Sequence, residues 1–148
     1  MKDLTKSESL HILETNYIGY LSFIWENKPY SIPITYYYNK EDNCIISYSD
    51  EGHKIDAMRL NNATSLAITE IESINKWKSI LVHGKFEELD GTFAQHQLHK
   101  FTLGLKKIIA NKDHEYPQFI NDFPNKTKSY KAPVVYRIKI LDLSGKSS

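Results

Sequence analysis

The chain has 148 residues, the usual size of one domain and enough to bury most of its apolar surface in a single core. Its 19 Lys and Arg against 18 Asp and Glu leave a net charge of +1, without the clustered basic excess of a nucleic-acid binder. No apolar run is long enough to cross a membrane, the first residues hold no hydrophobic signal core, and the one cysteine, Cys44, has no internal disulfide partner, so a single cytoplasmic domain over 1–148 is expected.

Thr5-Lys6-Ser7-Glu8 has capping-box spacing, and Leu10 and Leu13 share a face, which predicts a helix over 6–15. Ile18 to Trp25 carries no charge and reads as a buried strand. After a turn at 26–28, Pro29 to Asn39 reads as one long strand. Pro33 cannot donate to a ladder, so this strand lies at an edge or is bulged. A polar turn at 40–43 leads to a third strand, Cys44 to Ser49, and the three look like an antiparallel meander.

A helix then opens on Gly52-His53-Lys54 and ends near Asn61, with Ile55 and Met58 on one face. Thr64 to Ile71 and Trp77 to Leu89 read as strands, with a bend or bulge at Gly84. Thr92 and Gln95 have capping-box spacing, and Phe101, Leu105 and Ile108 extend a helix from Thr92 to about Asn111. Residues 113–131 read as irregular with one helical turn. Val134 to Leu143 alternates as a last strand. The tally is six strands, a mainly β (α+β) antiparallel sheet that closes on itself with flanking helices. Ten Tyr, six Phe and two Trp fall mostly on the strands, where packing explains them.

The segment Ser47-Tyr48-Ser49-Asp50-Glu51-Gly52-His53-Lys54 takes a strand end into a helix start. Helix N-termini present free N–H groups and partial positive charge. His53 and Lys54 add like charge there, which a bound phosphate turns into a favourable arrangement. The plainer alternative is that Asp50 and Glu51 balance this end and Lys54 is solvated. Pro33-Ile34-Thr35-Tyr36 is the second candidate, since an interrupted strand leaves backbone groups free for a ligand; the alternative is a simple edge strand. His96 and His99 are three apart on a helix, without a third ligand to complete a metal set. Cys44, mid-strand, reads as a small buried hydrophobe. No GxSxG elbow, GxGxxG fingerprint or Walker loop is present, so any redox chemistry would come from a cofactor.

Several segments carry a resemblance in their order: Ile18-Gly19-Tyr20-Leu21-Ser22, then Lys28 to Tyr36, then Ser47 to Ala57 with its Gly-His-Lys helix start, then Trp77 to Gly84, then Tyr136 to Lys146 with its Ser-Gly-Lys end. The chain resembles the pyridoxamine 5′-phosphate oxidase-like FMN-binding split β-barrels, in particular the branch with the nitroimidazole-resistance proteins, from about Leu4 to Lys146. The resemblance implies a six-stranded split barrel and a homodimer with FMN in clefts between two barrels. It implies that Lys54 and His53 hold the phosphate, His53 standing where other branches have Arg. By the same resemblance Tyr48 and Ser49 contact phosphate and ribityl, Ile34 and Thr35 border the isoalloxazine, and Ser79 reaches the flavin from the long strand. Tyr36 and Tyr48 would be the aromatics nearest a flat ring. The function so implied is a flavin-dependent reductase that takes electrons from NADH or NADPH and passes them to a small flat acceptor, nitroaromatic or quinone-like. The alternatives are a non-catalytic flavin carrier or sensor, and a haem-binding barrel with His83, His96, His99 or His114 as axial ligand.

Overall fold

The computed structural model describes residues 1–113 and 132–148. The element order is β1 (Lys2–Asp3), α1 (Lys6–Thr15), β2 (Ile18–Trp25), β3 (Lys28–Thr35), β4 (Tyr37–Asn39), β5 (Cys44–Ser49), α2 (His53–Leu60), β6 (Ala63–Ser73), β7 (Lys76–Leu89), α3 (Gly91–Asp113) and β8 (Val134–Ser147). α1 is capped as its spacing predicts. The Thr5 hydroxyl accepts from Glu8 N–H, and the Glu8 carboxylate accepts from Thr5 N–H, both at 3.1 Å. Together they satisfy two N–H groups that a helix start otherwise leaves orphaned.

β2 and β3 form a hairpin closed by Glu26 and Asn27, whose φ angles of 50° and 61° make the tight two-residue turn that twisted strands favour. The register runs from Trp25↔Lys28 to Ile18↔Thr35, and Tyr36 N–H continues it by donating to Tyr17 C=O at 2.9 Å. Antiparallel ladders alternate hydrogen-bonded and non-bonded pairs. Residues 28, 30, 32, 34 and 36 of this segment therefore turn their backbone groups toward β2, and 29, 31, 33 and 35 turn theirs away. Pro29 and Pro33 both sit on the outward set, where a missing N–H costs nothing. The proline-marked edge is thus borne out.

The predicted single strand over 29–39 is instead two. Tyr36 interrupts it: its ring is fully buried and its hydroxyl donates to Leu13 C=O at 2.9 Å. On either side of that anchor the chain serves opposite edges of one antiparallel sheet, ordered β3-β2-β6-β7-β8-β5-β4, with β1 added beside β8. The meander is likewise corrected, because β4 and β5 pair with each other and never with β3. Eight strands replace the expected six, the additions being β1 and the separate β4.

Leu21, Phe23, Leu66, Ile68, Val82, Phe86 and Ile138 fill the sheet's concave side, covered by Ile12 and Leu13 of α1 and by Ile55 and Met58 of α2. Burying a side chain of this kind contributes roughly 1.5–3 kcal/mol, so both short helices are held by packing more than by propensity. α3 lies on the other side, where Phe101, Leu105 and Ile109 cover Cys44 and Ile46 of β5. It starts at Gly91 rather than at a Thr92 cap, with Ala94 N–H on Asp90 C=O at 3.2 Å. The expected bend at Gly84 is present. The β7–β8 register slips there, leaving Leu141 as the extra residue on β8. β8 also runs past Leu143 to Ser147, where β1 pairs with it. Of the segment 113–131 read as irregular, Asp113 is the last residue of α3, and 114–131 lies outside the described residues. Among the described residues no helix is long and apolar enough to cross a membrane.

Candidate functional site

The two ends of the sheet's path meet at a seam. The Ser47 hydroxyl of β5 donates to Thr35 C=O, the outward-turned carbonyl of β3, at 2.8 Å. Ile34 is buried facing the core, while Thr35 is half-buried with its backbone N–H turned toward the seam. Two residues beyond Ser47, half-buried Ser49 turns its hydroxyl onto Asp50 C=O at 2.7 Å. Tyr48, on the opposite side of β5, packs edge-on against Phe101 at 5.4 Å and 86°. It thus belongs to the α3 cluster. Tyr36, the other aromatic implied to lie near a flat ring, is wholly enclosed in the core and presents no ring surface.

α2 begins three residues after Asp50. Glu51 does not balance its start, because its carboxylate takes both guanidinium arms of Arg59 at 2.8 and 2.9 Å, and Arg59 also reaches Glu88 at 2.7 Å. Lys54 is half-buried in the first turn. Burial pulls its ammonium pKa down, and the Asp50 charge offsets part of that. No carboxylate lies within ion-pair distance of it among the described residues. A partly desolvated cation that the Asp50 charge only partly compensates, beside N–H groups of a helix start, is an arrangement that an anion completes. His53, beside it, is exposed and sets its imidazole edge-on against the rings of Phe23, Trp25 and Tyr30.

Ser79 stands apart from this cluster. It lies on the outward face of the sheet, opposite Thr69 on one side and Lys146 on the other. Thr35 pairs with Ile18 on that same face. Continuing the Tyr20↔Ala67 register by two residues sets Ile18 opposite Thr69. A single cross-strand row therefore runs Thr35, Ile18, Thr69, Ser79, Lys146. Three strand spacings separate Thr35 from Ser79, roughly 14 Å. Ile18, Tyr20 and Thr69 line a groove of about 220 Å³ on this face together with Asn16, Tyr17 and Lys112. Asn16 holds the Lys112 ammonium there and donates to Glu70 at 2.9 Å. A cavity of about 590 Å³ lies elsewhere, between α1, β4 and α3, bordered by Tyr37, Tyr38, Lys40, Lys107 and Lys112. Its mixture of paired lysines and glutamates carries no chemistry comparable to the seam.

Cys44 is buried, and burial pushes its thiol up to about 11, which removes it as a nucleophile. His96 and His99 are exposed on α3, and His83 faces outward near Asp142 at 3.9 Å. His114 lies outside the described residues. Among the described residues no three His, Cys, Asp or Glu side chains gather around a common point. Sequence reasoning missed Ser47, which ties the seam, and the aromatic rings beside His53.

The model of the pyridoxamine 5′-phosphate oxidase family matches residues 5–147. The chain belongs to that family. An uncharacterized protein of Rhizobium meliloti (strain 1021) is 33% identical over 106 residues, which covers 70% of this chain and 69% of that protein. Among solved structures, an FAD-binding protein from Mesorhizobium loti has 26% identity and a TM-score of 0.72, covering 99% of this chain and 97% of that one. A candidate 5-nitroimidazole antibiotic resistance protein from Bacteroides thetaiotaomicron VPI-5482 has 16% identity and a TM-score of 0.70, covering 97% and 85%. The architecture here, an antiparallel sheet left open at the β3–β5 seam, is the split barrel of the pyridoxamine 5′-phosphate oxidase family.

Proposed function

We propose that this chain is a flavoprotein that binds FMN with its phosphate at the seam and acts as a reductase on a small flat acceptor. The observation that carries the reading is Lys54, half-buried at a helix start with no carboxylate within ion-pair distance among the described residues. Lys54, with His53 beside it, would hold the phosphate end, and Ser49 and Tyr48 the ribityl end. Ile34 and Thr35 would border the ring with the outward-turned backbone of β3, and Ser79 would approach it across the outward face. The Mesorhizobium loti protein, 26% identical and FAD-binding, supports a flavin in this fold. When bound, the flavin supplies the electron transfer, taking reducing equivalents from NADH or NADPH. The chain's own residues bind, orient and shield it.

The reading includes a homodimer. The outward face exposes Ile18, Tyr20 and Ile24 at 49%, 48% and 42%, in a patch that a second copy would cover. A second barrel would also turn the shallow groove beside Thr35 into a cleft. Light scattering of the purified protein is expected to give twice the chain mass.

The deciding measurement is an absorbance spectrum of freshly purified protein, followed by thermal unfolding with FMN, FAD and riboflavin. Flavin absorbance that bleaches with NADH or NADPH is expected, as is stabilisation by FMN of about 2.7 kcal/mol at a hundredfold excess over Kd. A colourless protein whose Tm ignores all three flavins would end the reading, and a Soret band would replace flavin by haem. Bound FMN that no reduced nicotinamide bleaches would make the protein a carrier or sensor.

A further inference from the structure

His53 opens α2 and is solvent-exposed, with one side of its imidazole against three rings of the β2–β3 hairpin. Its centroid lies 5.1 Å from that of Tyr30, 5.3 Å from Trp25 and 5.8 Å from Phe23, at interplanar angles of 73°, 79° and 67°. Phe23 and Tyr30 are directly opposed in the β2–β3 ladder and stack on each other at 5.4 Å and 6°. The hairpin thus presents an aromatic patch, and the first residue of α2 lies edge-on against it with its other side in solvent. Edge-to-face ring pairs of this kind are attractive beyond the area they bury.

Ile55, fully buried in the core, anchors the body of the helix one residue after Lys54; the residues ahead of it have no cap of their own. Gly52 occupies the N-cap position and supplies no side-chain hydrogen bond, so the usual device for pinning a first turn is missing. The Arg59–Glu51 pair lies in an exposed network on the solvent side. Lys54 follows His53 directly, half-buried and close enough to Asp50, the residue after Ser49, to feel its charge.

We propose that His53 is a positioning residue: its ring, set edge-on against Phe23, Trp25 and Tyr30, docks the α2 start on the hairpin and thereby sets Lys54 at the seam. What His53 contributes is shape, so an aromatic ring without nitrogen serves as well. The ligand arm of the test rests on the flavin reading; the labelling arm does not.

In the labelling arm, Lys54 acetylation by acetic anhydride is quantified by mass spectrometry in wild type, His53→Phe and His53→Ala. Wild type and His53→Phe are expected to protect Lys54 equally, and His53→Ala to expose it severalfold. Equal labelling of all three, or a His53→Phe as reactive as His53→Ala, overturns the proposal. Should His53→Ala not fold, His53→Phe decides alone: protection like wild type supports the proposal, and increased labelling overturns it.

In the ligand arm, FMN and riboflavin are titrated, since riboflavin lacks the phosphate. His53→Ala is expected to lose roughly ten- to a hundredfold in FMN affinity, the scale of one charge-assisted hydrogen bond. Its riboflavin affinity should hold, and His53→Phe should restore FMN binding. If His53→Phe loses FMN as badly as His53→Ala, the imidazole itself contacts the phosphate and the positioning role is wrong. A wild type that binds neither flavin ends the flavin reading, and the labelling arm still decides the role of His53.

Discussion

The Ser47 hydroxyl donates to the Thr35 carbonyl at 2.8 Å, joining β5 to β3 where the two strands are not paired in the sheet. Inside the barrel, Ser47 also sits opposite Tyr136. Burial pushes the Tyr136 phenol up to about 12; the Ser47 hydroxyl lies near enough to oppose part of that rise, but no group among the described residues meets the Tyr136 hydroxyl in hydrogen-bonding geometry. The two hydroxyls should therefore answer oppositely to deletion. Ser47→Ala removes a made bond and is expected to cost about 1 kcal/mol, which lowers Tm by roughly 2–6 °C. Tyr136→Phe removes an unpaired buried polar atom and is expected to leave Tm unchanged or raise it. Thermal unfolding of both variants checks this, and a destabilised Tyr136→Phe would refute the pairing scheme.

Gly84 faces the inside of β7 where β8 bulges. A Cβ there would stand 2.5 Å from Ile138 Cγ2 and 2.5 Å from Lys139 C=O. The carbonyl belongs to the backbone and has nowhere to go. Gly84→Ala is expected to destabilise the fold by about 1–3 kcal/mol, the usual cost of overpacking a filled interior. Urea unfolding should show it as a lower midpoint at unchanged slope. An alanine tolerated without loss would mean that the β8 bulge relaxes freely.

The elements legible in the sequence were those whose causes are local. The Thr5–Glu8 box, the charge-free run of β2 and the alternation of β8 each specify their own structure. The division of 29–39 was not legible, because nothing within that run marks it. Tyr36 divides it by bonding to Leu13, twenty-three residues away. β1, only two residues long, exists through its register with Ser147 and Lys146, which no pattern in Lys2-Asp3 announces. At the site, the Gly-His-Lys start was visible as a motif, whereas Ser47 looked like any small strand residue. The aromatic patch was readable in principle. A two-residue turn at 26–27 sets Phe23 opposite Tyr30, and Trp25 shares their face by strand alternation. What the sequence could not say is that His53 would fold onto them.

Cys44 supplies a pH dependence whose sign can be worked out. Burial lifts its thiol from the ordinary 9.0 to about 11, with the Arg137 charge opposing. A buried thiol that must ionise on unfolding favours the native state only while it stays protonated. Its contribution is complete below the unfolded pKa and disappears as pH rises through the native value. Stability is therefore expected to fall between pH 9 and about 11, and Cys44→Ala should flatten that part of the profile. Iodoacetamide should leave Cys44 unmodified in the native protein at pH 8, and the thiol should react once the chain is unfolded. Rapid alkylation of the native protein would contradict its burial.

Lys54 separates stability from function most directly. Its ammonium is half-buried, pulled down by desolvation, and without an ion-pair partner among the described residues, so in the free protein the charge is a burden. Lys54→Met keeps most of the stem and removes that charge. The free variant is expected to be as stable as wild type or more stable, by up to about 1 kcal/mol. FMN affinity should fall by about 1.5–3 kcal/mol, the range for a hydrogen bond to a charged group. FMN should therefore raise Tm in wild type and raise it far less in Lys54→Met, while riboflavin, with no phosphate, treats the two alike. Parallel thermal unfolding with each ligand reads both effects in one experiment. A variant that loses free-state stability yet keeps its FMN shift would make Lys54 a structural residue and move the phosphate elsewhere.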